Sequence, residues 1–315
     1  MLKKIIIASL LTTSLNSYAK RADDHAPASI MGDHSHQKGE IMLSYRFMNM
    51  NMENIYLGDK KISEAPLMMK PIKMKMKMHM LGAMYGLNNK NTLMLMLPYN
   101  ENKMSMKNQM SQEISKMQSK GVGDIKISNI LSLTKNNKLT IGLSLPTGNI
   151  KKANNGTRLP YKMQLGTGTY DPFLAYNNVK YFASSSLGYQ LKAKFNIHKN
   201  SEDYSYGNKY QLSLWYSKLL NDNFSLSSAL EFAKTESIEG SDKAIENRAM
   251  SISRNSANSG SEHIYAKIGF NKILSNKNNK SLRFSTEYKK TLYQKYKNYQ
   301  MGETDNIIFS IQKEL

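Results

Sequence analysis

The sequence predicts an all-β protein, a transmembrane antiparallel β-barrel of about 12 strands with short periplasmic turns and long extracellular loops. Three observations predict it. An export leader opens the chain, the body alternates apolar and polar residues with period two, and the linkers between those segments alternate in length. No stretch after the leader reaches the roughly 20 apolar residues of a membrane helix, and mean hydropathy is -0.54.

Residues 1–19 read as a signal peptide. Lys3 and Lys4 form its charged start, and Ile5, Ile6, Ile7, Ala8, Leu10 and Leu11 its apolar middle. Ser17-Tyr18-Ala19 matches a small-x-small cleavage site, so cleavage is expected near Ala19. Residues 20–39 then form an N-terminal periplasmic segment, and 40–315 the barrel in the bacterial outer membrane. The chain has no cysteine. That excludes disulfides, thiolate metal sites, thiol nucleophiles and a cysteine-linked lipid anchor.

The first strand is expected over 40–53, with Ile41, Leu43, Tyr45 and Phe47 on one face and Met42, Met48, Met50 and Met52 on the other. The second, 73–86, opposes Leu81, Ala83 and Tyr85 to Met74, Met76, Met78, Met80 and Met84. The third, 91–106, opposes Leu93, Leu95, Leu97 and Tyr99 to Met94 and Met96. Nine weaker segments follow at 123–134, 138–147, 168–182, 186–198, 208–219, 223–235, 261–274, 281–291 and 305–313. Short Asn/Lys-rich turns separate alternate pairs, while 54–72, 107–122, 148–167, 236–260 and 292–304 are long loops. Trp215, Tyr99, Tyr210 and Tyr216 lie near strand ends, where an interfacial aromatic girdle would sit. The chain ends on Leu315 rather than on an aromatic residue. A closed barrel has no free edge strand, so a monomer is expected.

The formal net charge is +20. Lysine is scattered through turns and loops, with no nucleic-acid motif, so nucleic acid is not expected as a partner. Outer-membrane lipid with lipopolysaccharide, and a small solute or metal ion, are the expected partners.

Methionine is the strongest anomaly. All but three of the 22 lie at or before Met117, which a uniform compositional bias does not produce. If the apolar rows face lipid, Met48, Met50, Met52, Met74, Met76, Met78, Met80, Met94 and Met96 line the lumen. Two chemistries fit. Methionine is a flexible filler for a narrow lumen. Its thioether is also a soft ligand suited to Cu(I), and a Met-x-Met pair sets two sulfurs about 7 Å apart on one strand face.

Histidine adds a second candidate. His34-Ser35-His36, with Asp33 and His25 nearby, could bind Cu(II), Zn(II) or Ni(II), or could be a polar tail. His79 falls within the methionine row but points to the opposite face. An outer-membrane lipid hydrolase would need a Ser–His pair near the rim. His198 and Ser201 share only a loop, with no nucleophile elbow. Glu236, Glu239 and Asp242 read as a solvated loop segment.

Several strings carry a family resemblance. They are Met31-Gly32-Asp33-His34, Met78-His79-Met80-Leu81-Gly82-Ala83-Met84-Tyr85, Leu97-Pro98-Tyr99, Gly123-Asp124, Leu145-Pro146-Thr147-Gly148 and Gly166-Thr167-Gly168-Thr169-Tyr170-Asp171. Over about 25–225 the chain resembles an outer-membrane transporter family related to the phenol meta-pathway degradation proteins. The resemblance implies a barrel with solute passage but defines no substrate. The methionine-rich first third resembles a branch connected with copper. Taken together, the expected function is a non-enzymatic channel for a small solute with a methionine-lined lumen. The alternative is a Cu(I)-binding barrel, and the less favoured reading is the hydrolase.

Overall fold

The computed structural model describes residues 21–63, 68–247, 250–275 and 281–315. The expected signal peptide and its cleavage site lie outside the described residues. The chain forms a closed antiparallel barrel of 12 strands. They are β1 (Ile41–Leu57), β2 (Met69–Gly86), β3 (Asn91–Asn108), β4 in two pieces (Ile114–Val122 and Lys126–Ser132), β5 (Asn137–Ser144) and β6 (Asp171–Tyr181). The ring continues through β7 (Ser185–Lys194), β8 (Lys209–Asn221), β9 (Phe224–Thr235), β10 (Ser261–Ser275), β11 (Ser281–Tyr296) and β12 (Gln300–Glu314). Each strand pairs with the next, and β12 closes on β1 from Met42↔Glu314 to Tyr56↔Gln300. Closure pairs the ladder groups that an open sheet would leave at its edges.

Period two decides which side chains face out. Leu43, Leu81, Leu93, Leu95, Leu174, Leu191, Leu214, Leu230, Ile268 and Phe309 are exposed on the outer wall. Their sequence neighbours Met42, Met80, Met94, Ser213, Glu231, Lys267 and Ser310 are buried inside. A one-residue slip of any strand would exchange these sets. Short turns hold the register at one rim. Asn88 Oδ1 accepts from the amides of Lys90 and Asn91, and Thr134 Oγ1 from those of Asn136 and Asn137. Such side chains replace missing ladder partners in tight turns.

Several boundaries differ from the sequence expectation. The segment 292–304 is not a long loop, because β11 and β12 run on to leave only 297–299 between them. Bulges between Asn51/Met52 and Glu53/Ile55 let β1 follow that extended hairpin. The segment 107–122 is not a long loop either, since Ile114–Val122 pairs with β3 from Ile114↔Lys107 to Val122↔Tyr99. This polar stretch, with exposed lysines at Lys116 and Lys120, lacks the apolar row by which a strand is recognised.

Trp215 is not part of an interfacial girdle. It is buried inside the barrel against Ala26, Ile30 and Val179. Tyr99, Tyr210 and Tyr216 are outward and exposed. Asp242 is not solvated either, being buried and paired with Arg158 at 2.9 Å.

Candidate functional site

Three parts shape the lumen: an N-terminal segment at the short-turn rim, a lid of loops at the other rim, and a cavity beneath that lid. Residues 21–36 lie inside the barrel as a plug, tied to inward-facing groups of many strands. Ser186 Oγ donates to Asp23 O, Asn177 Nδ2 to Gly32 O and Gln190 Nε2 to Met31 O, at 2.8–3.0 Å. Ser225 Oγ and Arg283 Nη1 both donate to Ala22 O at 3.0 Å. His36 N donates to Thr92 Oγ1 at 2.9 Å, and Ser29 meets Glu287 and Lys267. The backbone requires glycine at Gly32, where φ is +73° and a Cβ would stand 2.6 Å from Thr140 Oγ1. The indole of Trp215 fits because its neighbour is Gly188, where a Cβ would sit 2.3 Å from the ring.

Beneath the plug a buried charge network crosses the wall. Lys267 pairs with Glu231 and approaches Glu287 at 3.9 Å, and Lys289 lies 3.6 Å from Glu231. Arg283 pairs with Asp24 of the plug. Burial, aided by Arg283 and His34, holds the His25 imidazole well below its usual range.

The lid is built from loops 145–170, 195–208 and 236–260. Arg158 binds Asp242 at 2.9 Å and Glu202 at 3.3 Å, and Arg254 donates to the carbonyl of Arg158. Tyr161, Tyr204 and Ile245 are buried together with Tyr206 and Ile238 against them. Tyr206 Oη donates to Tyr161 O at 2.7 Å. Desolvation raises both the Tyr161 and Tyr206 phenols above their usual range.

Three of the sequence strings meet at one point of this lid. Asp124 Oδ1 accepts from Gly148 N at 2.9 Å, and its Oδ2 accepts from Thr167 N at 2.8 Å. Thr167 Oγ1 sits 3.0 Å from Asp124 and 2.7 Å from Asp171, whose other oxygen takes the Thr169 hydroxyl. Thr147 Oγ1 donates to Gly123 O, and Ile125 N donates to Thr147 Oγ1. Lys194 neutralises Asp171 at 2.7 Å. The node sits where β4 is interrupted at 123–125, so it replaces ladder bonds lost there and clamps the long loop to the wall.

All nine methionines singled out from the sequence are on the inner face. Registers Met48↔Met78, Met50↔Met76, Met52↔Met74 and Met74↔Met104 set them side by side across β1–β3. They divide between two clusters. Met80, Met94 and Met96 join Met42, Met84, Ile130 and Phe173 near the plug. Met52 and Met74, with Met50 and Met76 beside them, join Met104, Met106, Leu159, Met163 and Met301 under the lid. Met48 and Met78 stand between, half-buried. His79 is on the outer face, its Nδ1 2.8 Å from Tyr45 Oη. His34 is grouped with His25 and Asp33, while His36 faces Glu40 at 3.5 Å. His198 and Ser201 are exposed, and no hydrogen bond joins them among the described residues.

Beneath the lid lies a cavity of about 460 Å³. Met50, Met52, Met74, Met76, Met78 and Met104 form one wall, and Lys126, Lys162, Lys194 and Lys209 also line it. Strands seven and eight of a twelve-stranded ring stand across from strands one and two. Lys194 and Lys209 are therefore opposite the methionines. Among the described residues, Lys126 and Lys209 have no carboxylate within 4.0 Å. Glu303, also on the lining, is engaged by Tyr265 Oη at 2.7 Å. Burial in the lid lowers the Lys162 ammonium from its usual range, and Glu303 opposes that shift.

The sequence reading missed these lysines. Their signal was parity, since Lys126, Lys194 and Lys209 share the inner rows with buried Ser128, Gln190 and Ser213.

No protein-family model matches the chain, and no curated protein matches it. Solved structures do. The chain is similar to the COG4313 outer membrane channel from Pseudomonas putida F1, with 16% identity and a TM-score of 0.64. That match covers 90% of this chain and 98% of the other. Weaker likenesses include the toluene transporter TodX of P. putida, at 8% identity and TM-score 0.44, covering 92% and 93%. A Pseudomonas aeruginosa FadL homologue matches at 9% identity and TM-score 0.42, covering 88% and 90%. The first of these shows the barrel fold.

Proposed function

We propose that this chain is an outer-membrane channel for a small solute with an apolar body and a negative charge. The observation that carries the reading is the two-faced cavity, with six thioether side chains on one wall and four lysines on its lining. An apolar body gains about 25 cal/mol per Å² when it leaves water for the methionine wall. Methionine accommodates varied shapes because it is unbranched and flexible. The unpaired ammonium groups of Lys126 and Lys209 supply attraction for a carboxylate or similar anion. Low-dielectric walls around them strengthen that field. The exposed apolar outer belt supports residence in the outer membrane.

Proteoliposome uptake tests this. An aromatic monocarboxylate should enter faster than its uncharged amide and faster than an amine of equal size. Equal rates for all three, or preference for the amine, would sink the reading.

The soft-metal reading draws on the cross-strand methionine pairs. Close packing of Met52, Met74, Met104 and Met163 with Leu159 favours their role as an apolar wall. A Cu(I) competition titration against a coloured chelator separates the two. Tight binding lost when Met48, Met50, Met76 and Met78 become Leu would favour metal capture.

A further inference from the structure

The plug carries a cluster that solute passage does not use. His25, Asp33 and His34 place one ligand atom each within 4.8 Å of one another. The His25 and His34 rings stack with centroids 3.8 Å apart. Each ring has its Nδ1 engaged. His25 Nδ1 lies 3.1 Å from Gln312 Oε1, and His34 Nδ1 lies 3.0 Å from Asp33 Oδ1. Gln312 Oε1 is an acceptor, so His25 Nδ1 carries the proton and His25 Nε2 keeps its lone pair.

Metal-bound histidines characteristically donate their second ring N–H to an oxygen acceptor, as His25 does to Gln312 here. The bend between the ligands is already closed, since Ala26 N donates to Asp33 Oδ2 at 2.7 Å and Ile30 N to Pro27 O at 2.9 Å.

We propose that His25 through Nε2, His34 through Nδ1 and the Asp33 carboxylate bind one divalent transition-metal ion, which takes the place of the proton between His34 Nδ1 and Asp33 Oδ1 and fastens the two arms of the plug together. An imidazole–carboxylate set selects Zn(II), Cu(II) or Ni(II) rather than a soft monovalent ion. This site is therefore chemically distinct from the methionine wall. Tetrahedral ligand atoms about 2.0–2.1 Å from such an ion stand roughly 3.3 Å apart, so the cluster needs to contract by no more than roughly 1.5 Å. Three protein ligands leave the ion a further position.

The test is calorimetric titration of Zn(II) into the metal-stripped, folded full barrel, with folding verified by heat-modifiable electrophoretic mobility. One equivalent should bind. His25→Ala and His34→Ala should each weaken it at least about tenfold, the scale on which even supporting residues act. His198→Ala, in an exposed loop, should leave it unchanged. No binding to the unaltered barrel, or binding that survives both alanine variants, overturns the proposal. Should either variant fail to fold, Cu(II) electron paramagnetic resonance of the unaltered barrel decides. Hyperfine coupling to two imidazole nitrogens is expected, and its absence overturns the site.

Discussion

The inner face of β1–β3 and the inner face of β7–β11 obey the same period but carry opposite chemistry. The first presents Met42, Met52, Met74, Met80, Met94 and Met104. The second presents Ser186, Gln190, Ser213, Ser225, Glu231, Lys267, Arg283 and Glu287. Backbone geometry is alike in both, so the contrast lies in what each side holds. The polar side has fixed donors and acceptors, and it binds the backbone of the plug through directional bonds. The methionine side offers non-directional contact and leaves a cavity beside it. One half of the barrel anchors and the other half accommodates.

Removing the anchored element should have the largest effect. Deletion of residues 21–36 should raise conductance in a planar bilayer several-fold, with the barrel still folded by electrophoretic mobility. Unchanged conductance would mean the plug does not limit passage. Next comes Trp215, which packs the plug against the wall. Trp215→Ala should cost about 3–5 kcal/mol in urea unfolding from lipid vesicles, the range for emptied aromatic sites. The lid clamp should follow. Asp124→Ala leaves the amides of Gly148 and Thr167 without their acceptor. Each lost bond to a charged acceptor is worth about 1.5–3 kcal/mol, read in the same assay. The smallest effect belongs to the accommodating wall. Met52→Leu or Met74→Leu conserves volume and should cost less than about 1.5 kcal/mol. A larger loss would show that thioether chemistry, not shape, is what the wall requires.

The strands were legible where one row was apolar and the other polar or sulfur-bearing. In β1–β3 the pattern set the face of each methionine, while the register that puts Met50 across from Met76 came from the strand pairing. It was not legible in Ile114–Val122, whose polar residues resemble a loop, nor at 292–304, where lysines and tyrosines hide two strand ends. Trp215 misled because an aromatic on a strand fits either face; it stands in the middle of β8, and parity turns it inward. The Asp124 node was visible only as separate strings. Hydrogen bonds across 24 and 43 positions join them, and such long-range closure leaves no local periodicity. The His25–Asp33–His34 group was half visible, because a bend rather than an x-spacing brings His25 to His34.

The central claim, that the lumen draws an anionic solute between a methionine wall and unpaired lysines, is tested most directly by the reversal potential of the folded barrel under a salt gradient. Anion selectivity is predicted for the unaltered chain, and it should fall when Lys126 and Lys209 are both changed to Gln. Cation selectivity, or anion selectivity untouched by the double substitution, would contradict the account.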